Sequence, residues 1–434
     1  MTRTLLYNGT IITCNEQHEI VKNGAIAIEN GLITYVGETP NDKDDYQETI
    51  DLNGDLLLPG LINTHGHVQM SLLRGYGDDL PLKMWLEEKI WPIEAKFNPE
   101  VAKWGSYLSI VEMIRTGTTT FVDMYDHMDE VAKVVDTSGI RGKLCRGIVA
   151  LGSEEEKKMK LEEATNFAKE WNGQGNGRIT TMMSPHAPYT CDPEFISKIV
   201  DKSVDLNVPI HIHMSETIQE VEQNVEQYGN RPVKHLEEIG VFNQPTLVAH
   251  AVHVNDEEID ILAKYDVKVS HNIISNLKLA SGIAPIRKML EKGVTVSLGT
   301  DSSASNNNLD LFEELKQVAI LHKGVELDAT LINAETALLM ATKYGAEALW
   351  LDDKIGSLEV GKEADFIIID RNSPFYQPHT HNPISHLVYS GSGRDVKDMY
   401  VQGKPIMKNK QLLTVDEERV YYEVNRIMKS LLNE

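Results

Sequence analysis

Between residues 60 and 303 the chain repeats one pattern: a short apolar run with a polar end, then a longer stretch carrying apolar residues at helical spacing. The apolar runs fall at 60–68, 118–124, 142–149, 179–188, 209–216, 246–254, 268–274 and 294–303. Helical stretches separate them, for example 99–116 and 154–171. Strands that alternate with helices predict a parallel sheet. Eight of them predict an α/β fold of the (β/α)8 TIM-barrel type over residues 59–355, with function at the C-terminal strand ends. The flanks read differently. Runs at 5–7 and 10–13 surround Asn8-Gly9, and runs at 25–28 and 32–36 surround Asn30-Gly31. These are hairpin signals. Strand-like runs return at 364–370 and at 396–401, the latter followed by Gln402-Gly403. The two flanks, 1–58 and 356–434, are expected to build one discontinuous β-sandwich domain. Near the C-terminus Val420, Val424, Ile427, Met428 and Leu431 recur at helical spacing. They predict a docked surface helix, with an oligomer contact as the sharper alternative.

Composition narrows the classes. The chain has 434 residues, 41% of them hydrophobic and 25% charged, as expected of a globular enzyme with more than one structural unit. A formal net charge of −23 argues against nucleic acid and against anionic membrane surfaces. No run reaches the roughly 18 apolar residues of a membrane span, and the N-terminus lacks the apolar stretch of a signal peptide. Cys14, Cys145 and Cys191 are far apart and form no Cys-x-x-Cys pair. They predict packing residues in a reducing cytoplasm.

The chemistry gathers at the strand ends, where His65, His67, Asp123, His186, His213, His250, His271 and Asp301 stand. His65-Gly66-His67 follows an apolar run, and in a strand residues two apart face one way, so the two imidazoles can converge. His213, His250 and Asp301 occupy matching positions downstream. Imidazoles with one carboxylate suit Zn²⁺ and leave a position for water; iron can use the same set. His211 shares the face of His213 one layer deeper and reads as an interior hydrogen-bonded residue. His379-Thr380-His381 falls in a Pro-flanked loop and reads as structural. The Gly-rich run at 173–177 has no phosphate-binding lysine.

The chain resembles the amidohydrolase superfamily, in its mononuclear deaminase and chlorohydrolase branch. The resemblance rests on Pro59 to His67, His213-Met214-Ser215-Glu216-Thr217, Ser270-His271-Asn272, Ser275 to Leu279, Gly299-Thr300-Asp301, Ala304 to Asn308, and Gly356 to Asp365. Within that branch it is most similar to the 5-methylthioadenosine/S-adenosylhomocysteine deaminases. The binuclear branch carries a modified lysine at the fourth strand; here that strand ends in Ser184-Pro185-His186-Ala187-Pro188, which favours one metal per subunit. The resemblance implies ligation by His65, His67, His213 and Asp301, with His250 hydrogen-bonding the attacking water. It implies that Asp301 takes the water's proton while Glu216 protonates a purine ring nitrogen. Trp85 would pack on the purine or thioether, and Glu94 would accept from the ribose hydroxyls, its two oxygens suiting a vicinal pair. Arg146 and His186 would meet the purine or the tail carboxylate of S-adenosylhomocysteine.

Three departures bear on the substrate. Lys160 stands where relatives can carry a second arginine, and lysine is a point charge rather than a fork. Ile273-Ile274 follows His271-Asn272 where proline is usual, and Ser302-Ser303 follows Asp301 where glycine is frequent. The expected reaction is hydrolytic deamination of S-adenosylhomocysteine, 5′-methylthioadenosine and adenosine, by a cytoplasmic homo-oligomer whose partners are small nucleosides. The alternative is a related hydrolase of guanine, a pterin or a chlorotriazine. A non-catalytic barrel or a pure metal-binding protein would need neither Glu216 nor His250.

Overall fold

The computed structural model describes residues 3–432; the outermost residues of the two flanks, 1–2 and 433–434, lie outside the described residues. Nine strands from both ends of the chain join in one sheet. Its order is Gln411–Leu412, Lys404–Lys408, Val396–Val401, Phe366–Ile369, Leu56–Pro59, Arg3–Ile12, Ile20–Glu29 and Leu32–Glu38, with Glu48–Asp51 beside Arg3–Ile12. The two ends of the chain meet where Leu56–Pro59 pairs antiparallel with Phe366–Ile369. Leu6, Ile11, Ile26, Leu57, Phe366 and Ile368 make an apolar cluster on this sheet.

The two Asn-Gly pairs behave differently. Asn30 (φ 54°) and Gly31 (φ 81°) turn the chain between two strands, as expected. Asn8-Gly9 makes no turn. Arg3–Ile12 runs straight through it, and the register slips between Leu6 and Gly9. Asn8 sits at φ 59°, so the pair forms a bulge. The loop that follows Leu32–Glu38 holds it in place. Asn8 N–H donates to Thr39 Oγ1 at 3.0 Å and the Asn8 amide donates to Asp51 at 2.8 Å. A side chain at Gly9 would strike Leu52 at 2.5 Å.

A single residue carries the chain from this sheet into the parallel set. Gly60 N–H donates to Asp365 O, and Leu61 N–H donates to Gly117 O. A Cβ at Gly60 would lie 2.1 Å from Thr119, so only glycine fits the crossing. Two parallel sheets follow. One runs Leu61–Asn63, Thr118–Tyr125, Arg141–Ile148, Ser184–Pro185, with Ile179–Thr181 also beside Arg141–Ile148; the other runs Ile210–Met214, Thr246–His250, Lys268–His271, Val296–Leu298. Met183 bridges to Ile210 at one junction. At the other, Thr64 N–H donates to Leu298 O and Asp301 N–H to His65 O, both at 3.0 Å. The strands therefore neighbour one another in chain order, with the last joined to the first. Ile62, Val122, Cys145 and Leu247 pack on Ala346, Leu349 and Leu351.

The strand ends depart from expectation. Residues 64–67 lie beyond Leu61–Asn63, the run 179–188 is broken after Thr181, and the last strand ends at Leu298. The seventh ends at His271, and Ile273–Lys278 is a helix; two isoleucines fit either period. Positive φ explains two ends: 53° at Ser215 and 75° at His250 leave strand geometry. Helices Pro99–Thr116 and Glu154–Trp171 match the sequence reading and start at side-chain caps, Asn98 and Ser153. Helix Glu417–Leu432 docks on Pro99–Thr116 through Val420 and Ile427. No helix among the described residues is long and apolar enough to cross a membrane.

Candidate active site

His65, His67, His213, His250 and Asp301 converge. The ligand atoms of His65, His67 and His213 lie within 4.8 Å of one another, as do those of His65, His250 and Asp301. His65 and His67 converge although neither lies in a strand. Asp123 accepts the Val68 N–H at 2.7 Å and pins the chain just past His67.

In each ring the far nitrogen is already engaged. His65 Nδ1 is 2.9 Å from His211 Nε2, whose own Nδ1 is 3.0 Å from Leu247 O. His67 Nδ1 donates to Met124 O at 2.7 Å, and His213 Nδ1 donates to His186 O at 2.8 Å. The Nε2 lone pairs are thereby turned inward, as ligation requires. Asp301 is held in the same way. Its Oδ2 accepts from Ser275 Oγ at 2.6 Å and Ser305 Oγ at 2.9 Å. Its Oδ1 faces His67 Nε2 at 3.3 Å and His65 Nε2 at 3.5 Å.

The electrostatics ask for a cation. His65 Nε2 has no hydrogen-bond partner among the described residues. Burial and then the neighbouring imidazoles push His213 well below its usual range, so it is neutral and able to ligate. Burial also disfavours a charged His67, yet the Asp301 carboxylate overrides it and holds the ring up at about 9, so His67 Nε2 takes up a proton beside Asp301 at the spot a metal ion would claim instead. A fully buried aspartate among imidazoles needs a positive charge, and a divalent ion satisfies every inward lone pair at once. The donor set fits a metal. Ser275→Ala should lower metal affinity by about 10–100-fold, the usual cost of losing a group that holds a ligand. Chelator competition measures it, and thermal unfolding should barely change.

A cavity of about 520 Å³ opens onto this cluster, within the size range of small-molecule sites. Its floor holds Asp301, His250 and Glu216. The buried Glu216 carboxylate lies 3.7 Å from His250 Nε2 and 3.5 Å from Ser281 Oγ. Burial raises its pKa, against the pull of His250. His250 Nδ1 makes its shorter contact, 2.8 Å, with Asn276 Oδ1. Nδ1 therefore carries the hydrogen, and Nε2 turns a lone pair toward the cavity.

The cavity wall brings in the residues named for substrate. Trp85 is buried at the start of a π-helical turn, Trp85–Ile90. Glu94 accepts from the Tyr125 hydroxyl, and burial raises its pKa. Arg146 contacts Asp126 and Glu163, both at 3.2 Å. Lys160 Nζ donates to Val149 O at 2.9 Å. His186 is 3.0 Å from Thr190 Oγ1, and burial pushes it down to about 3. All six residues named for substrate, Glu216 included, line the cavity.

Two strand-end residues reach neither the cluster nor the cavity. His271 points to the helix Leu311–Glu326, its Nε2 3.4 Å from His322 Nε2. Asp123 serves the backbone as described. His379 is 3.1 Å from Arg371 O, in keeping with its structural reading. Sequence reasoning missed Tyr125, Glu220, and the roles of Ser275, Asn276 and Ser305. The last three sit inside motifs already singled out, and Thr217-x-x-Glu220 carries a capping-box signal.

The chain belongs to the amidohydrolase family, whose profile matches residues 56–406. It is 50% identical over 427 residues, 97% of each chain, to a 5-methylthioadenosine/S-adenosylhomocysteine deaminase of Halalkalibacterium halodurans. An adenosine deaminase of Xanthomonas campestris with bound zinc superposes with a TM-score of 0.94 at 34% identity, over 99% of both chains. A zinc complex of atrazine chlorohydrolase from Arthrobacter aurescens TC1 superposes at 0.91 with 25% identity, over 98% of this chain and 100% of that one.

Proposed function

We propose that this chain is a zinc-dependent deaminase converting S-adenosylhomocysteine and 5′-methylthioadenosine to their inosine analogues and ammonia, with adenosine as a further candidate. The carrying observation is the buried Glu216 carboxyl facing His250 on the floor of a cavity that also presents Glu94 and Arg146. The proposed fold is a (β/α)8 barrel, 59–355, supported by the hydrogen bonds that join its last strand to its first. Residues 1–58 and 356–434 form the proposed β-sandwich domain. Three free, buried cysteines support a cytoplasmic location; a homo-oligomeric state is part of the reading, and light scattering tests it.

Zinc held by His65, His67, His213 and Asp301 would supply Lewis-acid polarisation and lower the pKa of a water to about 7. Asp301 accepts the water's proton through Oδ1. His250 Nε2 accepts the water's remaining hydrogen bond and aims its oxygen. Glu216 donates a proton to the purine ring nitrogen, which makes C6 electrophilic. Water oxygen adds at C6, the C6–N bond breaks, and the amine leaves as ammonia with the proton Asp301 collected; as C6=O forms, the second water proton, held by His250 Nε2, passes to Glu216 3.7 Å away and restores it. Trp85 packs on the purine or the thioether, Glu94 accepts from the ribose, and Arg146 and His186 meet the purine or the tail carboxylate, with Lys160 beside them on the cavity wall.

A free base or a chlorotriazine has no vicinal hydroxyls for Glu94. Glu94→Ala should therefore raise KM for methylthioadenosine by about 10-fold or more, the cost of a lost charged hydrogen bond, and leave any guanine turnover unchanged. Ammonia release from S-adenosylhomocysteine, methylthioadenosine, adenosine, guanine and a chlorotriazine tests the reading. Turnover confined to the last two would overturn it.

A further inference from the structure

Glu220 lies outside every motif that defines the site, yet its carboxylate is spent on the backbone that carries Glu216. Oε1 accepts the Ser215 N–H at 2.8 Å, and Oε2 accepts the Glu216 N–H at 2.8 Å. The spacing is that of a capping box: Thr217 is the N-cap of helix Ile218–Tyr228, and its hydroxyl accepts the Glu220 N–H at 3.2 Å. In an ordinary box the third helical residue reaches back to the N–H of the cap itself. Here the carboxylate overreaches the cap and clamps the two residues before it. Those are the two residues that need holding. Ser215 is in the left-handed region, φ 53°, a conformation that persists in a non-glycine residue only where its surroundings enforce it. The opposite edge is anchored too, since Ser215 O accepts from His253 N–H at 2.9 Å. Glu220 itself is buried, and burial pushes its carboxyl up to about 7 against the pull of the two N–H groups, a desolvation cost that surface capping does not incur.

We infer that Glu220 is a positioning residue for proton donation, fixing the Ser215–Glu216 turn so that the Glu216 carboxyl meets the ring nitrogen. The inference rests on the proposed role of Glu216. Displacing a reacting group by about 1 Å can cost on the order of 10²-fold in rate. In Glu220→Gln one acceptor oxygen remains, and an amide N–H₂ is set against a backbone N–H.

The test uses the full, zinc-loaded protein with methylthioadenosine. Glu220→Gln should lose kcat by about 10–100-fold, with KM within about twofold and zinc content unchanged. In a Glu216→Gln background the same change should cost almost nothing more, because residues acting as one unit are not additive. Should Glu220→Gln fail to fold, Glu220→Asp keeps the charge but is too short to span both N–H groups, and the same kcat-only loss is expected. Wild-type kcat in the single variant, a loss that appears as missing zinc, or a full loss persisting in the Glu216→Gln background would overturn the inference. Failure of the underlying reading shows elsewhere: Glu216→Gln alone would then retain wild-type turnover.

Discussion

Glu216→Gln should lower kcat for methylthioadenosine by about 10²–10⁴-fold, the range of a lost general acid, with zinc content and KM nearly unchanged. Glutamine has the shape of the carboxylic acid without its transferable proton. The side chain is buried, its neighbours are His250 at 3.7 Å and Ser281 at 3.5 Å, and it is not among the proposed metal ligands. Burial raises the Glu216 pKa, so the group keeps its proton to a higher pH than an exposed glutamate. The sign follows: activity that needs protonated Glu216 is present below the raised pKa and falls as pH climbs through it. The Gln variant should lose that alkaline limb of its kcat profile. A Gln variant within tenfold of wild type, with the limb intact, would move proton donation to another group.

Much of this site was legible because metal chemistry demands residue types at fixed places. His65, His67, His213, His250 and Asp301 could be found from strand ends alone, since a C-terminal end carrying a histidine is a poor place for packing and a good one for ligation. Separating His250 from the ligands was beyond spacing, and ring geometry alone does not do it: Asn276 ties its Nδ1 as carbonyls tie those of His67 and His213, while its Nε2 lies 3.7 Å from Glu216. Periodicity located each parallel strand between residues 60 and 303 but overran the ends, in two cases because Ser215 and His250 leave strand geometry through positive φ, which no hydrophobic pattern encodes. Asn8-Gly9 misled for a tertiary reason: the Thr39 and Asp51 contacts that turn it into a bulge come from residues more than 30 positions away. His271 misled through alternation, for the neighbour of an inward residue faces the helices. Substrate residues on the helical wall were the least legible, since Trp85 and Glu94 look like any amphipathic helix until Tyr125 and the cavity stand beside them.

Asp301→Asn should be the most damaging single change, with kcat down at least about 10³-fold, within the range for a lost proton acceptor, and zinc below one per chain after dialysis. Backbone strain is not the cause, because asparagine tolerates the φ of 60° that Asp301 adopts. Sterics are not the cause either, since the two side chains match in shape. What changes is charge and basicity. Oδ1 faces His65 and His67, and the amide that replaces the carboxylate neither balances a divalent ion nor takes up a proton. Ser275→Ala, by contrast, removes one of two hydroxyls that hold Oδ2 and leaves Ser305 in place. Saturating zinc should therefore restore the serine variant to near wild-type kcat and leave the asparagine variant inactive. That contrast separates holding a metal from taking a proton. An Asp301→Asn protein that recovers full turnover in excess zinc would confine Asp301 to ligation and require another base, with His250 the nearest group able to serve.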